Sequence, residues 1–317
     1  MYNIVYSTDE NYCRHVAVSI TSLLMNNKEL KDINIYIVED SLSQESKRKL
    51  EKIVKKFDKN LTFLSCDELC KNLKVNTDFP KAAFSRLFLA SKLKNIDKIL
   101  YIDSDTYINN GIKYLYDINI DDYEIAGVQD NAAYYLLKKI GMDKTDRYIN
   151  SGVLLINLKK WRQDNVENKI CDFIEQHNGK VNHNDQGIIN GVCRKKIYIL
   201  NPKYNMMPEM IYLSVKQSNF LYKVYNYYTQ EEITNAVENP VIVHYIEKFY
   251  SRPWKADCTH PLRSKYLDIL NELDFDKKLE ENGLNKKVQF RKKVYENVPF
   301  IVYAIMEKIL NIRRIFL

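Results

Sequence analysis

The sequence predicts an α/β fold on a mostly parallel sheet. Short apolar runs with strand character alternate with segments of helical period along most of the chain. Several runs are apolar at consecutive positions, as in strands buried on both faces. The 317 residues are 45% hydrophobic and hold only 8 Gly and 7 Pro. That suits one large domain with an appendage and leaves no room for a long linker.

The elements follow in order. "NIVYST" (3–8) is a short buried strand, and Val16, Ile20, Leu23 and Leu24 then share one helical face. "INIYIVED" (33–40) is the next strand. The segment 41–57 is an amphipathic helix, with Ser41 and Gln44 spaced as a capping box. "LTFLS" (61–65) is a strand. "FSRLFLASKL" (84–93) is a helix leading into the strand "KILYIDSD" (98–105). Further strands are expected at 124–128, 152–158, 196–200 and 240–245, and one helix over 158–177. "NHNDQGIING" (182–191) starts a short helix, for which Asp185 offers an N-cap. A globular body is expected over 1–285 and a basic helical tail over 286–317.

Charge is uneven. The chain carries +7, and residues 286–317 hold eight basic residues against two acidic ones. The body is therefore close to neutral, which argues against nucleic acid as a partner. The tail mixes its cations with Phe300, Ile301, Val302, Ile305, Ile309 and Leu310. Its apolar run is too short to span a bilayer. It reads as an interfacial helix for an anionic membrane surface. The alternative is packing on its own body or on a twin subunit in a homodimer. No secretory signal is visible at the N-terminus, so the expectation is a cytoplasmic protein, peripheral on the inner face of the plasma membrane. The six cysteines lack the paired spacing of a zinc knuckle, and no dinucleotide fingerprint or P-loop is present.

Candidate chemistry begins where the apolar run Ile99–Ile102 ends in Asp103 and Asp105. On an extended segment these two face the same way and Ser104 faces the other. Carboxyl ends of strands line the ligand crevice in open α/β sheets. Two carboxylates converging there repel each other unless a cation lies between them. Hard oxygen ligands suit Mg²⁺ or Mn²⁺, and His244, closing another apolar strand, favours Mn²⁺ as a third ligand.

"YSTDENY", "FSRLFLASKL", "LYIDSDTYI", "NSGVLLINLKKW" with "HNDQGIING", and "HY…RPW" occur in that order between residue 3 and about 261. Together they resemble the family-8 retaining glycosyltransferases, such as glycogenin and bacterial lipopolysaccharide galactosyl- and glucosyltransferases. The resemblance implies a nucleotide-sugar-binding fold of the A type (GT-A) and transfer of a hexose from a UDP-sugar, glucose or galactose, to a hydroxyl of a glycan or glycolipid acceptor. It assigns Asp103, Asp105 and His244 to the metal. Asp9 and Asn11 match uridine contacts, with Tyr6 and Ser7 lining the same pocket and Ser104 by the ribose. Arg86 matches a basic residue near the donor sugar. Asp130, Asn150, Ser151 and Gly152 match positions around the hexose, and Asp185 and Gln186 the pair beside the anomeric carbon.

One stretch departs from the family pattern. The family has Gly and then Lys between His-Tyr and Pro-Trp; here the stretch is "HYIEKFYSRPW", with Glu247 at the Gly position and two extra residues. Arg252 and Lys248 then compete for the diphosphate, and an Arg can clamp phosphate bidentately. Two rival readings remain. A sugar nucleotidyltransferase needs a Gly-rich N-terminal loop, which "YSTDENY" lacks. A non-catalytic relative acting as a partner or scaffold is supported only by the altered stretch at 247–252.

Overall fold

The computed structural model describes residues 1–132, 134–281 and 283–315, with side chains through residue 310. Arg313 and Arg314 of the predicted tail have side chains outside that range. Nine strands are described: β1 (Tyr2–Asp9), β2 (Ile33–Asp40), β3 (Asn60–Ser65), β4 (Lys98–Ile102), β5 (Thr106–Ile108), β6 (Ile125–Gln129), β7 (Ile149–Asn157), β8 (Ile197–Ile199) and β9 (Ile242–His244). Seven form the main sheet in the order β3-β2-β1-β4-β7-β6-β8. β7 runs antiparallel to both β4 and β6, and the other four pairings are parallel.

Alternation along β1 shows why the sheet is covered on both sides. Ile4 and Tyr6 enter one core with the helix Cys13–Met25, while Val5 enters the other with the helices Val166–Gln176 and Asn184–Cys193. All three strand residues are fully buried. The chain leaves β1 towards β2 and β3, then returns to β4 on β1's other side. Strand order therefore reverses between β1 and β4, and a crevice opens beyond their carboxyl ends.

Several expected elements take another form. The helix expected over 84–93 is three short pieces, Lys81–Phe84, Ser85–Phe88 (3₁₀) and Leu89–Lys92. The helix expected over 158–177 breaks into Leu158–Gln163 and Val166–Gln176, because Asn165 adopts a left-handed conformation at φ 54°. Ser43, not Ser41, caps the helix Gln44–Lys55 by accepting from the Ser46 N–H; Ser41 is itself left-handed at φ 60°. His183, not Asp185, precedes the helix Asn184–Cys193. β5 had no sequence signal. It pairs with β9 in a small antiparallel ladder outside the main sheet.

The tail folds as two helices, Lys286–Asn297 and Phe300–Ile315. One face packs on the body: Tyr303 and Ala304 are buried, and Tyr295 and Tyr303 lie against Phe249. The Tyr295 hydroxyl also donates to the Tyr212 carbonyl. Ile301, Val302, Ile305 and Ile309 are left exposed on the outer side, with Phe290. Among the described residues no helix is long and apolar enough to cross a membrane.

Candidate active site

Asp103 and Asp105 converge through a turn rather than through the extended segment expected from their spacing. β4 ends at Ile102. The Thr106 hydroxyl donates to the Asp103 carbonyl at 2.8 Å, and the Ser104 hydroxyl donates to the Ser7 carbonyl at 2.8 Å, tying the turn to β1. The small ladder supplies the third side chain: His244 pairs with Thr106, and the Tyr245 N–H donates to the Asp105 carbonyl at 2.9 Å. One ligand atom each from Asp103, Asp105 and His244 lies within 4.8 Å of the others.

The surroundings aim these groups. His244 Nδ1 lies 3.0 Å from Asn205 Oδ1, so an Nδ1–H donated there leaves Nε2 facing the aspartates. Nε2 is 3.2 Å from Asp105 Oδ1 and 3.8 Å from Asp103 Oδ2. Asn205 Nδ2 donates in turn to Asn150 Oδ1 at 2.9 Å. Gly152 leaves the space: a Cβ there would lie 2.1 Å from His244 Cε1 and 2.9 Å from Asp103 Oδ2. Burial pushes the Asp105 carboxyl up, but Arg252 and His244 outweigh it and hold the group below the ordinary range. Burial pushes the His244 imidazole down, and the two aspartates more than reverse that. Two carboxylates and an aimed imidazole in a cradle that excludes a methyl group fit Mn²⁺ or Mg²⁺.

Arg86 joins this cluster to a second one. It is buried, donates to Asp103 Oδ1 at 2.8 Å and to the Ser151 carbonyl at 2.6 Å, and lies 3.3 Å from Asp185 Oδ2. Its guanidinium covers the Tyr101 ring, whose hydroxyl also donates to Asp103. Burial raises the Asp185 carboxyl, with Arg86 opposing. Gln186 is fixed on both sides of its amide. Oε1 accepts from Asn150 Nδ2 and the Ser151 N–H, both at 3.1 Å, and Nε2 donates to Asp130 Oδ2 at 3.1 Å. Asp130, Asn150, Ser151 and Gln186 thus form one network beside the Gly152 cradle.

A cavity of about 220 Å³ opens over β1 and β4 and is lined by Ser7, Asp9, Arg86, Asp103, Ser104, Asp105 and Arg252, among others. Asp9 Oδ1 accepts from the Tyr12 N–H at 2.9 Å, which orients its carboxylate. Two expected pocket residues lie elsewhere. Tyr6 is fully buried in the core on the other side of β1, where its hydroxyl accepts from Ser19 at 3.3 Å. Asn11 is exposed and borders a neighbouring cleft with Glu247, Trp254 and Glu280. The rivals for the diphosphate separate as well: Arg252 lies 3.3 Å from Asp105 Oδ2 and bonds the Tyr12 hydroxyl, while Lys248 pairs with Glu209 at 2.8 Å.

Sequence reasoning missed Asn205 and Tyr101. Tyr101 stands in the quoted motif two residues before Asp103, a signal open to use. Asn205 ends a one-turn 3₁₀ helix, Pro202–Asn205, and bridges His244 to Asn150 only through tertiary packing.

Comparison with known proteins agrees with this geometry. Residues 3–258 match the family model described as glycosyl transferase family 8. General stress protein A of Bacillus subtilis is 29% identical over 275 residues, covering 85% of this chain and 93% of its own. The lipopolysaccharide 1,3-galactosyltransferase of Salmonella typhimurium is 24% identical over 277 residues, covering 84% of this chain and 77% of its own. The crystal structure of galactosyltransferase LgtC with donor and acceptor sugar analogs superposes with a TM-score of 0.72 at 22% identity, covering 86% of this chain and 97% of that one. That likeness is one of fold, and the fold is the A-type fold of glycosyltransferases. With the family model spanning most of the chain, and the acidic pair and histidine gathered at the strand-order reversal, the chain belongs to glycosyl transferase family 8.

Proposed function

We propose that the protein moves a hexose, glucose or galactose, from a UDP-sugar to a hydroxyl of a glycan or lipid-linked saccharide, with retention of anomeric configuration. The observation that carries this reading is the convergence of Asp103, Asp105 and His244 in a family-8 chain. Those three residues would hold a divalent cation, Mn²⁺ before Mg²⁺. When bound, that ion acts as a Lewis acid, offsetting the negative charge that grows on the departing diphosphate. Arg252 shares that task; its place beside Asp105, with Lys248 taken by Glu209, supports it over Lys248.

Asp9 and Ser7 hold the uridine end, and Ser104 lies by the ribose. The Asp130–Asn150–Gln186 network, with Ser151 and Gly152, holds the hexose, which develops oxocarbenium character. The bond from C1 to the phosphate oxygen breaks and the bond from C1 to the acceptor oxygen forms on the same face. The acceptor proton passes to the leaving phosphate oxygen. A double displacement needs a carboxylate under C1. The Gln186 amide is a poor nucleophile and is held by three partners, and Asp185 is engaged by Arg86. A sugar adduct trapped on Asp185 and seen by mass spectrometry contradicts the front-face route.

The test is incubation with Mn²⁺ and UDP-glucose or UDP-galactose, reading UDP. The reading predicts release that stops on chelation and in Asp103→Asn and Asp105→Asn. No release from either donor overturns it, and a nucleoside triphosphate formed from pyrophosphate and UDP-sugar identifies a nucleotidyltransferase instead. The exposed Ile301, Val302, Ile305 and Ile309, with Lys286, Lys287 and Lys293 exposed on the adjoining helix, support residence on an anionic membrane surface. Such residence brings a lipid-linked acceptor within reach.

A further inference from the structure

Asp103 gives its two carboxylate oxygens to different partners. Oδ1 accepts from Arg86 Nη2 at 2.8 Å and from the Tyr101 hydroxyl at 3.1 Å. Oδ2 faces the Gly152 cradle: it lies 3.8 Å from His244 Nε2, and a Cβ on Gly152 would come within 2.9 Å of it. One oxygen is thus held by the protein and the other is left for a cation.

Several bonds keep it so. The Asp103 N–H donates to the Gly152 carbonyl at 2.8 Å, and the Asp103 carbonyl accepts from the Thr106 hydroxyl at 2.8 Å, so the backbone does not carry the carboxylate round. Arg86 is pinned as well, with Nη1 donating to the Ser151 carbonyl at 2.6 Å and Nε to the Ala83 carbonyl at 2.9 Å. Tyr101 stands two residues before Asp103 and is buried, with the Arg86 guanidinium 4.2 Å from its ring centroid. The hydroxyl and the guanidinium therefore reach the same oxygen from a packed platform. Turning Oδ1 into the cradle breaks both bonds and leaves two buried donors unpaired, which is costly. Asp105 is held more loosely. Its Oδ2 lies 3.3 Å from Arg252, which in the proposed reaction turns to the diphosphate.

The number of oxygens offered decides which ion fits. Ca²⁺ takes about 6–8 oxygen ligands and often both oxygens of one carboxylate. Smaller ions such as Mg²⁺ and Mn²⁺ suit octahedral sites with fewer ligands. A carboxylate confined to one oxygen favours the smaller ions.

We propose that Tyr101, together with Arg86, confines Asp103 to ligation through one oxygen and so selects a small octahedral cation against Ca²⁺. Tyr101 is a positioning residue, acting through Asp103. The proposal rests on the metal-dependent reading above, and its test separates the two failures. Protein, Mn²⁺ and saturating UDP are titrated with Ca²⁺, and the electron paramagnetic resonance of free Mn²⁺ reports displacement. His244 also favours Mn²⁺ over Ca²⁺, so the effect of Tyr101 is read as a change in the ratio of the two affinities. In the parent, displacing half of the bound Mn²⁺ should need Ca²⁺ in excess. Tyr101→Phe removes the hydroxyl and keeps the ring beneath Arg86. It should lower the preference for Mn²⁺ over Ca²⁺ about tenfold, the scale of other losses among groups that orient ligands. Arg86→Lys, which keeps the charge and loses the planar fork, should lower it in the same direction. Melting temperatures identify a variant that fails to fold, and the other then decides. A residue that only supports the fold weakens both ions together, so an unchanged ratio in a folded variant overturns the proposal. So does a ratio that rises, or a parent from which Ca²⁺ displaces Mn²⁺ without excess. If the parent binds no Mn²⁺ even with UDP, the metal-dependent reading itself has failed.

Discussion

His244 can face the aspartates only because residue 152 has no side chain and Asn205 holds the far nitrogen of the ring. Gly152→Ala puts a methyl group into the imidazole. Asn205→Ala removes the Nδ1 partner and leaves the ring free to turn. Each should weaken Mn²⁺ binding by roughly 10–100-fold, the usual cost of disturbing the groups that orient a ligand. Titration followed by the electron paramagnetic resonance of free Mn²⁺ measures this, and unchanged affinity in both variants removes His244 from the ligand set. Asp9 makes a different prediction. On the proposed uridine role, Asp9→Ala should raise the donor KM more than it lowers kcat, because a group that only grips the uridine would act equally before and during reaction. A loss confined to kcat assigns Asp9 to the chemistry instead.

At the scale of elements, the sequence showed buried strands well and breaks badly. β2 spans the predicted residues 33–40, because Ile35, Ile37 and Val38 are apolar in a pattern only a doubly covered strand uses. The helix expected over 158–177 has the right period, yet Asn165 turns left-handed inside it, a local choice that periodicity does not report. β5 is three residues long and exists only because β9 lies against it. The carboxylate pair was legible from its place after β4, but the turn that brings its members together depends on Ser7 and Thr106, which are remote in sequence or unremarkable in type. The segment after β9 carries a pH prediction. Burial pushes the His260 imidazole down to about 4 from an ordinary 6.5. The unfolded chain therefore takes up a proton between those values that the folded chain refuses. This contribution to stability is present above pH 6.5 and is lost as pH falls towards 4, about 3 kcal/mol in all. His15, held down by its own burial, acts in the same direction. Melting temperatures should fall over that window, and less steeply in His260→Asn; an unchanged slope shows that His260 titrates normally.

For the whole molecule, the tail both packs and exposes apolar surface. Its inner face covers Phe249 and Tyr212 through Tyr295 and Tyr303, so it is part of the folded body as well as an extension of it. The outward Ile305 and Ile309 are separate from that packing. Ile305→Ser with Ile309→Ser should abolish flotation with phosphatidylglycerol vesicles and leave the melting temperature nearly unchanged. Equal flotation of parent and variant would remove the membrane from the account. Every step proposed for transfer depends on where the cation sits, and a crystal structure of the complex with Mn²⁺ and UDP shows that directly. The account predicts one ion bonded to Asp103, Asp105 and His244 Nε2 and to the diphosphate, with Arg252 turned from Asp105 to the phosphates. An ion bound away from those three side chains, or a diphosphate held without one, contradicts it.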